Sequence, residues 1–221
     1  ALMETALEAE KFTVVRPGYA STKATISELA DDTIPQAIAT CPAGPIHFVT
    51  HSMGGILVRD WLSRNKLKNL GRVVMLAPPN KGSEVIDMFA GLYLFDQMNG
   101  PAASQLGTGD QSLPLALPAV DYPVGVIAGN QSLNVYFSML LPGSDDGKVS
   151  VRSTVVKGMM DHITLSVTHT FMMNNPRVIT ETLMFLRTGA FDPSISWADA
   201  LLERLGCEGG DCLIGKRAVE P

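Results

Sequence analysis

Cysteine is scarce in this chain, with three among 221 residues, too few for the disulfide framework that holds small secreted folds together. Cys207 and Cys212 flank Glu208-Gly209-Gly210-Asp211, a spacing that suits either a small disulfide loop or two free thiols in a flexible tail. No nearby Cys or His completes a zinc set. Basic charge is also short. The formal net charge of −5 argues against nucleic acid as a partner, because neutralising phosphates takes clustered Lys and Arg. No apolar run approaches the ~18 residues of a membrane-spanning helix, so the chain reads as soluble and not transmembrane.

Two further things are missing at the start: an initiator Met, and the basic, apolar, small-residue succession of an export signal. Residues 2–10 read instead as the end of a helix with Leu2, Met3, Ala6 and Leu7 on one face, as though the sequence began in mid-fold. Localisation stays open for that reason, with the cytoplasm as the default.

What is present is a composition of 46% hydrophobic and 18% charged residues, which suits a globular enzyme core rather than disorder. The length suits one sizeable domain. We place it at residues 1–191, followed by a short helix and polar tail over 192–221.

Phe12-Thr13-Val14-Val15 reads as a strand ended by Pro17-Gly18. Thr25 and Glu28 have capping-box spacing ahead of a helix with Ile26, Leu29, Ala30, Ile34 and Ile38 inward. Pro35 is expected to kink that helix or end its regular part. Further strands are expected at 45–49, 72–77, 122–128 and 163–167, the second carrying the continuous apolar run Val73-Val74-Met75-Leu76 of a buried parallel strand. Asn175-Pro176 opens a closing helix with Val178, Ile179, Leu183 and Leu186 inward. Strands alternating with helices predict an α/β fold, a mostly parallel sheet flanked by helices. Residues 88–119, with Phe89, Tyr93 and Phe95 giving way to a Gly-, Pro- and Ser-rich stretch, read as a small lid or acyl-binding wall, or as a helix on the core and an ordinary loop.

Thr50-His51-Ser52-Met53-Gly54 lies between the apolar strand and an amphipathic helix. A serine on such a turn, with Gly two residues on, has the setting of a nucleophile elbow, which lifts the hydroxyl clear of the sheet and aims the first helix amides at what it attacks. The usual pattern has Gly where Thr50 stands. The bland reading of Ser52 is a helix N-cap.

A serine hydroxyl needs a base, and imidazole titrates in the useful range. His47 lies within the nucleophile's own strand. His51 neighbours Ser52 and is expected to point away from it. His162 precedes the last strand and so sits at the wrong edge. His169 follows that strand and is the favoured base. The carboxylate that orients the base should follow the preceding strand. Asp145 and Asp146 stand there, and Asp146 is preferred, although Asp-Gly is also a plain turn signal. Asp121 lies at the opposite edge. Gly82 and Ser83 are expected to shape the rim of the site.

The order Ser52, Asp146, His169 is that of α/β-hydrolases. Segments 47–55, 76–83, 128–130, 146–149 and 168–173, spread over about residues 2–190, resemble the lipase/esterase-type α/β-hydrolases, close to small bacterial triacylglycerol lipases. The resemblance implies cleavage of carboxylic esters, short to medium in acyl chain, through a serine acyl-enzyme. It assigns the nucleophile to Ser52, the acid to Asp146, the base to His169 and one oxyanion donor to the Met53 N–H, with no cofactor and no metal. Two other readings stay open: a non-catalytic homologue that binds an apolar ligand or a partner, and an acyltransferase or amidase with the same triad. The family's second oxyanion donor comes from a His-Gly-type loop after a strand ahead of the first helix, and this sequence has neither. We therefore expect an exposed sheet edge, covered by another segment, such as 207–221, or by a second copy in a homo-oligomer.

Overall fold

A computed structural model describes residues 2–89, 100–132 and 141–204. The sheet is β1 (Ile46–His51), β2 (Leu70–Leu76), β3 (Val124–Gly129) and β4 (Asp161–Leu165), in that order and all parallel. The helices include α1 (Leu2–Ala9), α2 (Ile26–Thr40), α3 (Met53–Arg64), α4 (Glu84–Phe89), α5 (Leu113–Ala116), α6 (Val151–Thr154), α7 (Pro176–Thr188) and α8 (Trp197–Arg204), with a 3₁₀ segment at His169–Asn174.

The alternation of side chains along each strand divides the core in two. Val74 and Leu76 of β2, with Ile127, Ile163 and Leu165, meet α1 and α7. Val73 and Met75, with Val124 and Val126, meet α2 and α3 on the other face. Helices therefore cover both faces, which is why β2 and β3 read as unbroken apolar runs. In β3, Gly125 leaves room for Phe185 of α7: a Cβ there would lie 2.6 Å from the ring. Phe185 is fully buried and packs on Phe191 with centroids 4.9 Å apart. Truncating a buried Phe costs about 3–5 kcal/mol.

The helix signals act as their chemistry requires. Thr25 and Glu28 make both bonds of the capping box. Asn175 Oδ1 accepts from the Arg177 and Val178 amides, Pro176 fills the first turn, and Gly189 closes α7 at φ 87°. Val178, Ile179, Leu183 and Leu186 are all buried.

Several expectations need correction. Residues 12–15 form no strand: Phe12 and Val14 pack against the core from outside the sheet, and Phe12 meets the His47 ring edge-on. β1 is accordingly an edge strand of the described sheet. Pro35 does not end α2, which runs on to Thr40. Pro35 lies on the exposed side, where the carbonyl deprived of its amide partner can be hydrated. Leu2 is exposed, whereas Met3, Ala6 and Leu7 are buried. β4 begins and ends two residues earlier than expected. In the 88–119 region the aromatic stretch 90–99 lies outside the described residues. Beyond it Ala102 and Leu106 join the core, and Gln105 Oε1 accepts the Ile26 amide. The tail at 207–221 also lies outside them. Among the described residues no helix is long and apolar enough to cross a membrane.

Candidate active site

β1 ends at His51, and Ser52 turns the chain into α3 with φ 55° and ψ −128°. A non-glycine residue in such a conformation costs on the order of 1–3 kcal/mol and persists only where its surroundings enforce it. Here the Ser52 amide donates to Leu76 O at 2.8 Å, pinning the turn to the end of β2. The hydroxyl makes no capping bond to α3, so the N-cap reading does not account for this serine. The Met53 amide opens the helix, where no intrahelical acceptor exists for it. Behind the turn, a Cβ on Gly55 would lie 3.0 Å from Pro78 Cβ, and one on Gly54 would lie 3.6 Å from Thr50 Cβ and 3.9 Å from the Tyr19 hydroxyl. Thr50 is accommodated because its hydroxyl points to Val74 O, 3.5 Å away on the neighbouring strand.

The segment after β3 carries the carboxylates. Asp146 is buried, and its Oδ1 accepts from the Lys148 and Val149 amides at 3.0 and 2.8 Å. Its Oδ2 lies 2.7 Å from His169 Nδ1, and its carbonyl accepts the His169 amide at 2.9 Å. Asp145 Oδ1 takes the Gly147 amide, so both aspartates brace the turn and Asp146 also holds the imidazole. Gly147 supplies the φ of 95° that the turn needs. Gly129 lets this segment close over β3, since a Cβ there would lie 2.5 Å from Val167 O and 2.9 Å from Asp146 Cβ.

His169 follows β4 and is buried. With Nδ1–H donating to a carboxylate, the lone pair falls on Nε2, the nitrogen available to a hydroxyl. Among the described residues no hydrogen bond joins Ser52 Oγ to that nitrogen.

The remaining histidines sort by strand position. His47 Nδ1 accepts the Arg72 amide at 2.9 Å, at the irregularity in the β1–β2 ladder. His162 is at the start of β4, 2.9 Å from the Thr154 hydroxyl. His51, to which the sequence lent no role, stacks on His169 with centroids 4.6 Å apart and reaches His169 O with Nε2 at 3.0 Å. Burial and the neighbouring His169 push its pKa down to about 4.

The segment after β2 braces the acid-bearing one. Asn80 Nδ2 donates to Thr154 O, Lys81 N to Ser153 O and Ser83 Oγ to Lys148 O, while Glu84 accepts from Ser150 and Ser153. Buried Arg59 donates to Asn80 O and Oδ1, and to carbonyls of Pro114, Leu117 and Pro118. A charged residue on the buried face of α3 was not legible as a brace, because all its acceptors but the Asn80 side-chain oxygen are backbone carbonyls.

Burial lowers the pKa of His47, His51 and His162 alike. Below pH 6.5 the unfolded chain takes up protons that the folded chain refuses, so stability falls on acidification through that window toward the folded values. Glu181, raised by burial, opposes this in part once pH falls through its own folded pKa. The urea midpoint is expected to drop steadily between pH 7 and pH 4.5. A midpoint constant over that range would contradict the neutral burial of the three rings.

No protein-family model and no curated protein sequence matches this chain. Solved structures do. Bacillus licheniformis lipase BlEst2 in its propeptide form superposes at TM-score 0.59 and 19% identity, over 77% of this chain and 41% of that one. Phospholipase PlaB from Legionella pneumophila does so at TM-score 0.60 and 19% identity, over 91% and 57%. The metagenomic carboxyl esterase MGS0156 gives TM-score 0.60 at 17% identity, over 87% and 64%. This chain thus spans less than two thirds of the length of each. It has the α/β-hydrolase fold of these neighbours.

Proposed function

We propose that this chain is a serine hydrolase that cleaves carboxylic esters through an acyl-enzyme on Ser52. The observation that carries the reading is the buried Asp146–His169 pair, 2.7 Å apart, at the sheet edge where Ser52 is held in a strained elbow. The structural neighbours, a lipase, a phospholipase and a carboxyl esterase by name, support the reaction class.

In the reading proposed, Ser52 Oγ attacks the ester carbonyl carbon as His169 Nε2 takes its proton, and the carbonyl π electrons move onto oxygen. The Met53 N–H donates to that oxyanion, with the N-terminal end of α3 behind it. Collapse expels the alkoxide, which leaves as alcohol with the proton from His169. Water then repeats the sequence at the acyl-enzyme: His169 deprotonates it, the carbonyl reforms, and Ser52 recovers its proton as the acid departs. Asp146 keeps Nδ1 protonated throughout and stabilises the imidazolium.

A fluorophosphonate probe tests this directly. Native protein is expected to add the phosphonyl group at Ser52, seen by peptide mass mapping, and heat-denatured protein to add none. Absence of labelling in the native protein would leave a binding homologue as the better reading. Labelling accompanied by acyl transfer to added alcohols or amines in preference to water would favour an acyltransferase.

A further inference from the structure

We propose that His51 is a positioning residue that ties the base-bearing loop to the nucleophile elbow through the bond from its Nε2–H to the His169 carbonyl. The inference rests on the proposed roles of Ser52 and His169 and names what holds them at a fixed separation.

A carbonyl oxygen only accepts, so at the 3.0 Å contact the imidazole of His51 must be the donor. The ring is neutral near pH 7, so its single proton sits on Nε2, and Nδ1 is left as an acceptor. His169 then has three anchors. Its Nδ1–H goes to Asp146 Oδ2, its backbone N–H to Asp146 O, and its carbonyl receives His51. The first two fix the base to the loop after β3. Only the third reaches β1, and it does so from the residue covalently joined to Ser52. The tilted ring contact, at 4.6 Å and 48°, adds a face for the His169 imidazole to rest on. Without the His51 bond, the separation between Ser52 and His169 depends on two loops anchored two and three strands away from β1. Catalytic geometry is sensitive to displacements of about 1 Å, so the loss belongs in kcat rather than in substrate binding.

The chemistry selects two substitutions. His51→Phe keeps a ring against His169 and removes the donor. His51→Gln places an amide N–H close to where Nε2–H lies. Hydrolysis of p-nitrophenyl butyrate is measured for wild type and both variants, alongside ¹⁵N-histidine NMR of the same proteins. His51→Phe is expected to lower kcat about tenfold with KM within twofold, the scale of one lost hydrogen bond, and His51→Gln to recover to within about threefold of wild type. Equal kcat for the two variants, or a loss expressed mainly in KM, overturns the proposal.

The NMR arm does not depend on turnover. Wild type is expected to show His51 as the Nε2–H tautomer. The His169 Nδ1 proton should broaden or shift in His51→Phe and return toward its wild-type position in His51→Gln. A His169 signal unchanged in His51→Phe also overturns the tie. A wild type that neither hydrolyses ester nor labels at Ser52 sinks the hydrolase reading instead, and the NMR result still decides whether His51 holds the loop.

Discussion

Ser52→Ala is expected to lower kcat for p-nitrophenyl esters by about 10⁵-fold while leaving the melting temperature near wild type. The two halves of that result follow from different features. The activity is lost because no other hydroxyl is held at the end of β1 on a turn that starts a helix. The stability is kept because the Ser52 side chain makes no capping bond to α3, so alanine forfeits no cap. Alanine also keeps the backbone strain, since both residues carry a Cβ at φ 55°. Turnover by Ser52→Ala equal to wild type would end the claim for this serine. Running acyl chains of increasing length on the wild type sets its preference, and highest turnover on long chains would move the reading from esterase to lipase.

Asp146→Asn is the second large effect, about 10⁴-fold in kcat. Asp146 uses both oxygens as acceptors: Oδ1 for two backbone amides and Oδ2 for the imidazole. Asparagine has one oxygen and one NH₂. If the oxygen faces the backbone amides, the NH₂ faces Nδ1 and forces its proton onto Nε2, the nitrogen that must accept from Ser52. If the oxygen faces the imidazole, two amides meet an NH₂ and lose their acceptor. Either arrangement damages the site, and the second also destabilises the fold, by about 1–3 kcal/mol per orphaned buried group. The same change at Asp145, which takes the Gly147 amide, is expected to cost less than tenfold. The ratio of the two variants' kcat values checks the division of roles, and similar losses at both positions would dissolve it.

What the sequence made legible was whatever follows from local pattern. Val73 to Leu76 and the run ending at Gly129 are buried strands because their neighbours on both faces are helices. Thr25, Glu28 and Asn175 mark helix ends through bonds made within a few residues. Ser52, Asp146 and His169 could be ranked because each follows a strand, and a parallel sheet gathers such residues at one edge. Residues 12–15 failed that test: β-branched texture alone cannot supply a hydrogen-bonding neighbour, and these residues pack on the core without joining the ladder. His51 and Arg59 were illegible for a related reason. Apart from the Asn80 side-chain oxygen, their partners are backbone carbonyls, which every residue carries and which no side-chain type elsewhere in the chain announces. Pro35 did not end α2 because the penalty for proline in a helix depends on which way the freed carbonyl faces.

The His51–His169 bond joins residues 118 positions apart, from the first strand of the described sheet to the loop after the last. Between them in sequence lie β2, β3 and β4 with their crossovers, and contacts of such long range close late in folding. A chain that has built only part of its sheet can hold the elbow or the Asp146–His169 pair, but not the two together. On the proposed reading, reactivity at Ser52 is then a property of the finished fold alone. Its gain during refolding should trail the recovery of secondary structure, making the serine a chemical clock for the last step of assembly.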